Sequence, residues 1–198
     1  MSTVKSKNLQ VGTDATASNN FTIYQPSTPD GTLRIGVGNA DSPTEVGRFN
    51  SNGYVATNAP AFLAYQNSAQ TIGSSVTTKF SIDTEVFDTA NCFDHTTNYR
   101  FTPNVAGYYL VGGSFRWSSN TTGDRQCMFY KNGAEIQTFV RSPTASTGSC
   151  AYNYSTLVEM NGSTDYLELY IYQNSGGNLT TLISGRSNSF WASLVRAT

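Results

Sequence analysis

The stretch FDHTTNYRFTPNVAGYYLVGGSFRW, Phe93 to Trp117, decides the fold. From Gly107 onward its residues alternate. Tyr109, Val111, Gly113, Phe115 and Trp117 fall on one face of an extended chain, and Gly112, Ser114 and Arg116 on the other. A period of two with aromatic residues on one side predicts a half-buried β-strand. Pro103 and Gly107 punctuate its lead-in, which also holds the only histidine, His95.

The same pattern continues outward. RQCMFYKNGAEIQTFV predicts a hairpin, with Asn132-Gly133 supplying the positive φ angles of a two-residue turn. TDYLELYIYQ places Leu167, Leu169 and Ile171 on one face and Tyr166, Glu168, Tyr170 and Tyr172 on the other. NLTTLIS and SFWASLVRA predict two further strands. No stretch carries a helical period, while 12 Tyr, 11 Phe and 2 Trp favour strands. Residues 60–198 therefore predict an all-β domain of roughly eight to ten antiparallel strands, a double-sheet sandwich or jelly roll.

Residues 1–59 differ. Short apolar pieces alternate with Gly, Asn, Asp and Pro, and LQVG at Leu9 and LRIG at Leu33 read as two copies of one small unit. Such pieces cannot bury a core alone and need copies of themselves or another protein. Phe21, Ile23, Tyr24, Leu33, Ile35, Val37 and Phe49 make the segment too apolar for a solvated linker. The expectation is an ordered, extended, β-rich N-terminal arm that joins the domain near Asn58–Ala61.

Charged residues are 13% of the 198, about half the usual share of roughly 25%. With a net charge of −1 and no basic stripe, neither nucleic acid nor a membrane surface is expected as a partner. No apolar leader is seen in MSTVKSKNLQVG, so folding in a cytoplasm is expected. Cys92, Cys127 and Cys150 have no CxxC spacing; buried free thiols are the expectation and a Cys127–Cys150 disulfide the alternative.

Little chemistry is encoded. Cys92 and His95 invite a dyad, but no oxyanion element accompanies them. Asp83, Glu85, Asp88 and Asp94 could offer oxygen to calcium, yet they match no EF-hand loop, and an ordinary solvated loop is the plainer reading. No cofactor and no catalytic residue are expected. Polar loops SSNTTGDRQ, RSPTASTGSCAYN and YQNSGGNLTT suit adaptable contacts and sugar recognition. Arg125, Tyr152 and Asn174 are contact candidates from them.

The order VTTKFSI, FDHTTNYRFTPNVAGYYLV, FYKNGAEI, STDYLELYIY, SFWASLV resembles the C1q/TNF-like jelly roll over nearly all of 60–198. The matching residues are Phe93, Asp94, Phe101, Pro103, Gly107, Tyr109, Val111, Lys131, Asn132, Gly133, Asp165, Leu167, Leu169, Phe190, Ala192 and Leu194. Ala192 stands where that family has glycine. NFTIYQPSTPDGTLRIGVGN followed by VGRFNSNGYV resembles the N-terminal segments of bacteriophage fibre and virion-surface proteins. Both resemblances imply a homotrimer. Tyr166, Tyr170 and Tyr172 are the expected trimer-interface stripe.

What the resemblances imply is a non-enzymatic virion protein, assembled in a host cytoplasm. It would be a short fibre, capsid decoration or tail-fibre tip. Residues 1–59 would meet another virion protein, and the knob would stabilise the particle or touch a host-surface glycan. The alternative is a free lectin-like C1q module. If the last strand ends beside the arm, alternation counted back from the C-terminus, with NLTTLIS as a strand, puts the three long loops at the arm end or flank. The far tip then carries TPNVAG, YKNGA, MNGSTD and SGRSNS, with Arg186 and Asn188 as contacts.

Overall fold

The computed structural model describes residues 8–56, 59–143 and 150–198. It divides into two compact units, Met1–Asn58 and Ala59–Thr198.

The first unit is a five-stranded antiparallel sheet in simple chain order. Its strands are β1 (Asn8–Val11), β2 (Phe21–Tyr24), β3 (Leu33–Val37), β4 (Thr44–Asn50) and β5 (Gly53–Ala56), with a 3-10 turn at Ala17–Asn19. The register aligns Leu9, Ile23 and Ile35 across three strands, and Val11, Phe21 and Val37 beside them. The two apolar repeats, LQVG and LRIG, thus land in strands that flank β2. One face collects the odd-numbered apolar residues. Ionic groups hold the other: Arg34 pairs with Asp30 and Glu45, and Arg48 with Glu45. Buried Asn20 ties the turns together through Asp14 and Asn39.

The second unit begins with β6 (Ala61–Tyr65), β7 (Thr71–Ile72), β8 (Thr78–Lys79), β9 (Thr84–Asp88), β10 (Phe93–Asp94) and β11 (Arg100–Phe101). It continues with β12 (Ala106–Trp117), β13 (Arg125–Lys131), β14 (Ala134–Arg141) and β15 (Cys150–Asn161). β16 (Leu167–Gln173), β17 (Leu179–Thr180) and β18 (Ser189–Ala197) complete it. One sheet runs β15-β12-β18-β6-β9 and the other β10-β11-β16-β13-β14, with β8 also on β16. Neighbours are antiparallel throughout, and chain-distant strands pair, so the unit is a jelly-roll sandwich.

Alternation places the core as read from the sequence. Tyr109, Val111, Phe115 and Trp117 of β12 and Leu167, Leu169 and Ile171 of β16 are all buried. Asn132 and Gly133 turn the β13–β14 hairpin with φ of 54° and 80°. Phe62 stacks on Phe93 at 4.3 Å and meets Phe101 and Phe190 at 5.0 Å, an aromatic centre joining both sheets. Removing such a ring costs about 3–5 kcal/mol. No helix among the described residues is long and apolar enough to cross a membrane.

Candidate functional site

Two ends of the sandwich are distinct. At the entry end, Leu194 N–H donates to the Pro60 carbonyl and Thr198 N–H to that of Ala106. The short turns before β12, between β13 and β14, and between β15 and β16 lie at this end. The opposite end carries the long connections 118–124, 174–178 and 181–188. They are tied together: Ser118 N–H bonds the Thr180 carbonyl, Gly176 N–H the Ser74 hydroxyl, and Thr181 N–H the Gln70 carbonyl. This reverses the expected direction for the long loops and for TPNVAG, YKNGA and MNGSTD, while SGRSNS with Arg186 lies at the end away from Pro60, as expected. NLTT forms only the two-residue β17, paired to β7, and does not cross the sandwich. Counting it as a full strand flips every upstream connection to the wrong end. Of RSPTASTGSCAYN, residues 144–149 lie outside the described residues.

Two contact candidates are surface groups at this loop-bearing end. Arg186 is exposed, with its guanidinium 5.7 Å from the Tyr65 ring. Asn174 is exposed and its amide oxygen accepts from Asp124 N–H. Arg125 is not a surface contact: it is fully buried, and its guanidinium donates to the carbonyls of Thr122, Asp124 and Asn120 at 3.0–3.2 Å. A forked cation can span three carbonyls and clamp the loop from beneath. Asn188 is also buried. It accepts from Arg116 N–H at 2.6 Å and donates to Gln66 Oε1 at 3.0 Å and the Leu182 carbonyl at 3.1 Å. Tyr152 is half-buried against Phe115, and burial raises its phenol pKa.

The four acidic candidates do not converge. Asp83 accepts from the amides of Asn67 and Ser68, Asp88 from those of Cys92 and Phe93, and Asp94 from Thr96, Thr97 and Asn98. Glu85 faces His95 Nδ1 at 3.4 Å. No group of three metal-ligating side chains forms among the described residues. The Cys92 thiol donates to Asp88 at 3.1 Å, and burial pushes its pKa up. His95 thus turns to Glu85 and Cys92 to Asp88. All three cysteines are free and buried.

The tyrosine stripe is less exposed than the sequence suggested. Tyr166, Tyr170 and Tyr172 are half-buried, and Glu168 between them is 5% exposed. Tyr170 lies 4.2 Å from the Tyr130 ring, and Arg100 stacks over Tyr166 at 4.7 Å. The barer apolar surface is the outward face of the β15-β12-β18-β6-β9 sheet. Leu157, Leu110, Phe87 and Val195 are 62, 39, 45 and 60% exposed there. Leu157 pairs with Leu110, and a row runs Gly112–Trp191–Leu63–Phe87 across four strands. Tyr108 and Leu110 were the available signal: both are apolar at even positions of β12, on the side read as polar.

This two-sheet order, with its paired outer and inner strands, is the topology of a known fold. The second unit is a TNF-like jelly roll. Solved structures similar to the chain include Eiger TNF from S. frugiperda, at 8% identity with a TM-score of 0.53, covering 71% of this chain and 93% of that one. Murine APRIL matches at 9% identity and a TM-score of 0.53, covering 69% and 99%. The PRD1 vertex protein P5 is 16% identical over 71% and 98%, with a TM-score of 0.48. No family model and no curated protein matches the sequence.

Proposed function

We propose that the chain is a non-enzymatic, homotrimeric component of a bacteriophage virion, with a TNF-like knob and an N-terminal attachment unit. The observation that carries this reading is the bare sheet of the first unit. None of its described hydrophobic side chains is buried, and Leu9, Val11, Phe21, Ile23 and Leu33 are 37–58% exposed on one face. A sheet with no core of its own must find one in other chains. Copies of itself and a virion partner supply it. The knob's outward apolar face calls for the same occupant, and the C1q/TNF resemblance implies three copies. The bacteriophage assignment is supported by the likeness of residues 20–55 to fibre and virion-surface segments. The loop-bearing end of the knob, with Arg186 and Asn174, is the surface offered to a host or to the particle.

Light scattering on the full chain and on residues 59–198 tests this. Trimers from both are expected. A trimer only from the full chain would move assembly to the first unit. Monomers from both would overturn the reading and leave a free binding module.

A further inference from the structure

On the flank of the knob, where β9 of one sheet approaches the β10–β11 hairpin of the other, lies a cavity of about 430 Å³. Glu85, Phe93, His95, Thr96, Arg100 and Thr102 line it. Its volume falls within the usual span of small-ligand pockets, roughly 300–1,000 Å³. The lining is unusual in three respects.

Arg100 is half-buried and forms no hydrogen bond or ion pair through its guanidinium among the described residues. Its stack on Tyr166 fixes the plane, so its forked donors are already oriented. Across the cavity, Glu85 keeps an acceptor carboxylate one-third exposed while holding His95. Asp94 also lines the cavity, but its carboxylate is committed to its own loop, accepting from Thr96, Thr97 and Asn98. The floor is apolar: Phe93 is 5% exposed and locked against Phe62.

A small anion entering here meets Glu85, and a small cation meets Arg100. A polyhydroxylated ring meets neither difficulty, because each hydroxyl both donates and accepts. Its hydroxyls can donate to Glu85 and accept from Arg100, with Thr96 and Thr102 beside them. We propose that this flank pocket binds a neutral hexose unit of a host-surface glycan. The proposal rests on the host-contact reading and gives it a sugar class at a flank site, apart from the loop-bearing end. It lies within one protomer, so it does not depend on the trimer.

His95 is the only histidine, so its imidazole proton resonance is a single reporter at the pocket wall. The full chain is titrated with the methyl glycosides of mannose, galactose, glucose and N-acetylglucosamine, and with methyl glucuronide, at fixed pH. The expected result is a saturable shift with at least one neutral glycoside and at least about tenfold weaker binding of the glucuronide. Arg100→Gln is expected to weaken the neutral sugar by a similar factor with the fold intact by tryptophan fluorescence. Silence of the resonance toward every neutral glycoside overturns the proposal, as does equal binding of the glucuronide. Should Arg100→Gln not fold, Thr102→Val takes its place, and the wild-type panel alone still decides. Failure here with trimers in light scattering removes only the pocket; the reverse result removes only the assembly.

Discussion

Lys79 Nζ sits 2.6 Å from Glu168 Oε1, and the glutamate is almost wholly covered. Glu168 lies in β16 among the half-buried tyrosines, and β8 pairs with that strand just there. A covered carboxylate keeps its charge only beside a partner. Lys79→Ala is expected to destabilise the knob by about 2 kcal/mol, the full range being reduced because Lys79 is itself one-third exposed. Glu168→Gln, which removes the charge and keeps the shape, is expected to cost less. Urea unfolding of both variants checks the order; a larger loss in Glu168→Gln would mean the carboxylate has other essential partners.

Gly113 is required by a close approach. A Cβ there would overlap the Ser189 carbonyl and lie 2.7 Å from the Tyr154 hydroxyl, which donates to that same carbonyl at 2.8 Å. Gly112 faces the other side, where a Cβ would lie 2.7 Å from Trp191. Gly113→Ala is expected to lose about 1–3 kcal/mol, since overpacked cores relax poorly. Gly177, with open space around its Cβ position, should tolerate alanine within about 0.5 kcal/mol. Comparable denaturant midpoints for the two would contradict this.

What the sequence made legible, and what it hid, follows from where side-chain type carries information. The strand faces of β12 and β16 and the Asn132-Gly133 turn were readable because burial and positive φ each select residue types. Arg125 and Asn188 were not. Both are polar residues in polar loops, and what buries them is a set of backbone carbonyls and amides that no composition reveals. The parity error at NLTT has a similar root: the segment has strand-forming residues, but only Leu179 and Thr180 pair with β7, and Thr181 makes a single bridge to Trp117. The signal of a bare apolar face lay in Tyr108 and Leu110, yet only the register sets Leu110 beside Leu157 and Gly112 beside Trp191.

Asp94 gives the knob an acid-sensitive element. Amides of Thr97, Thr96 and Asn98 hold its carboxyl well below the usual carboxylate range. In the unfolded chain it titrates near roughly 3.9. Its stabilising contribution is therefore complete above that value and is lost as pH falls toward the depressed folded value. Between about pH 4 and 2 the wild-type melting temperature should fall, and Asp94→Asn should fall less steeply over the same window. Parallel curves for the two proteins would assign the acid loss to other carboxyls.

The two candidate assembly faces of the knob can be separated by charge. One is the outward face of the β15-β12-β18-β6-β9 sheet, where Leu157 is 62% exposed beside Leu110. The other is the tyrosine stripe of β16, where each ring already has an intramolecular neighbour or lies half-covered. An aspartate at Leu157 costs little in a lone knob, because the position is open to water, but a desolvated charge in an interface core costs several kcal/mol. Leu157→Asp in residues 59–198 is expected to give monomers with an unchanged circular dichroism spectrum. Tyr172→Asp is expected to leave the trimer intact. The opposite pair of masses by light scattering would place the three-fold contact on the tyrosines, and the Leu157 face would then be open for another virion protein.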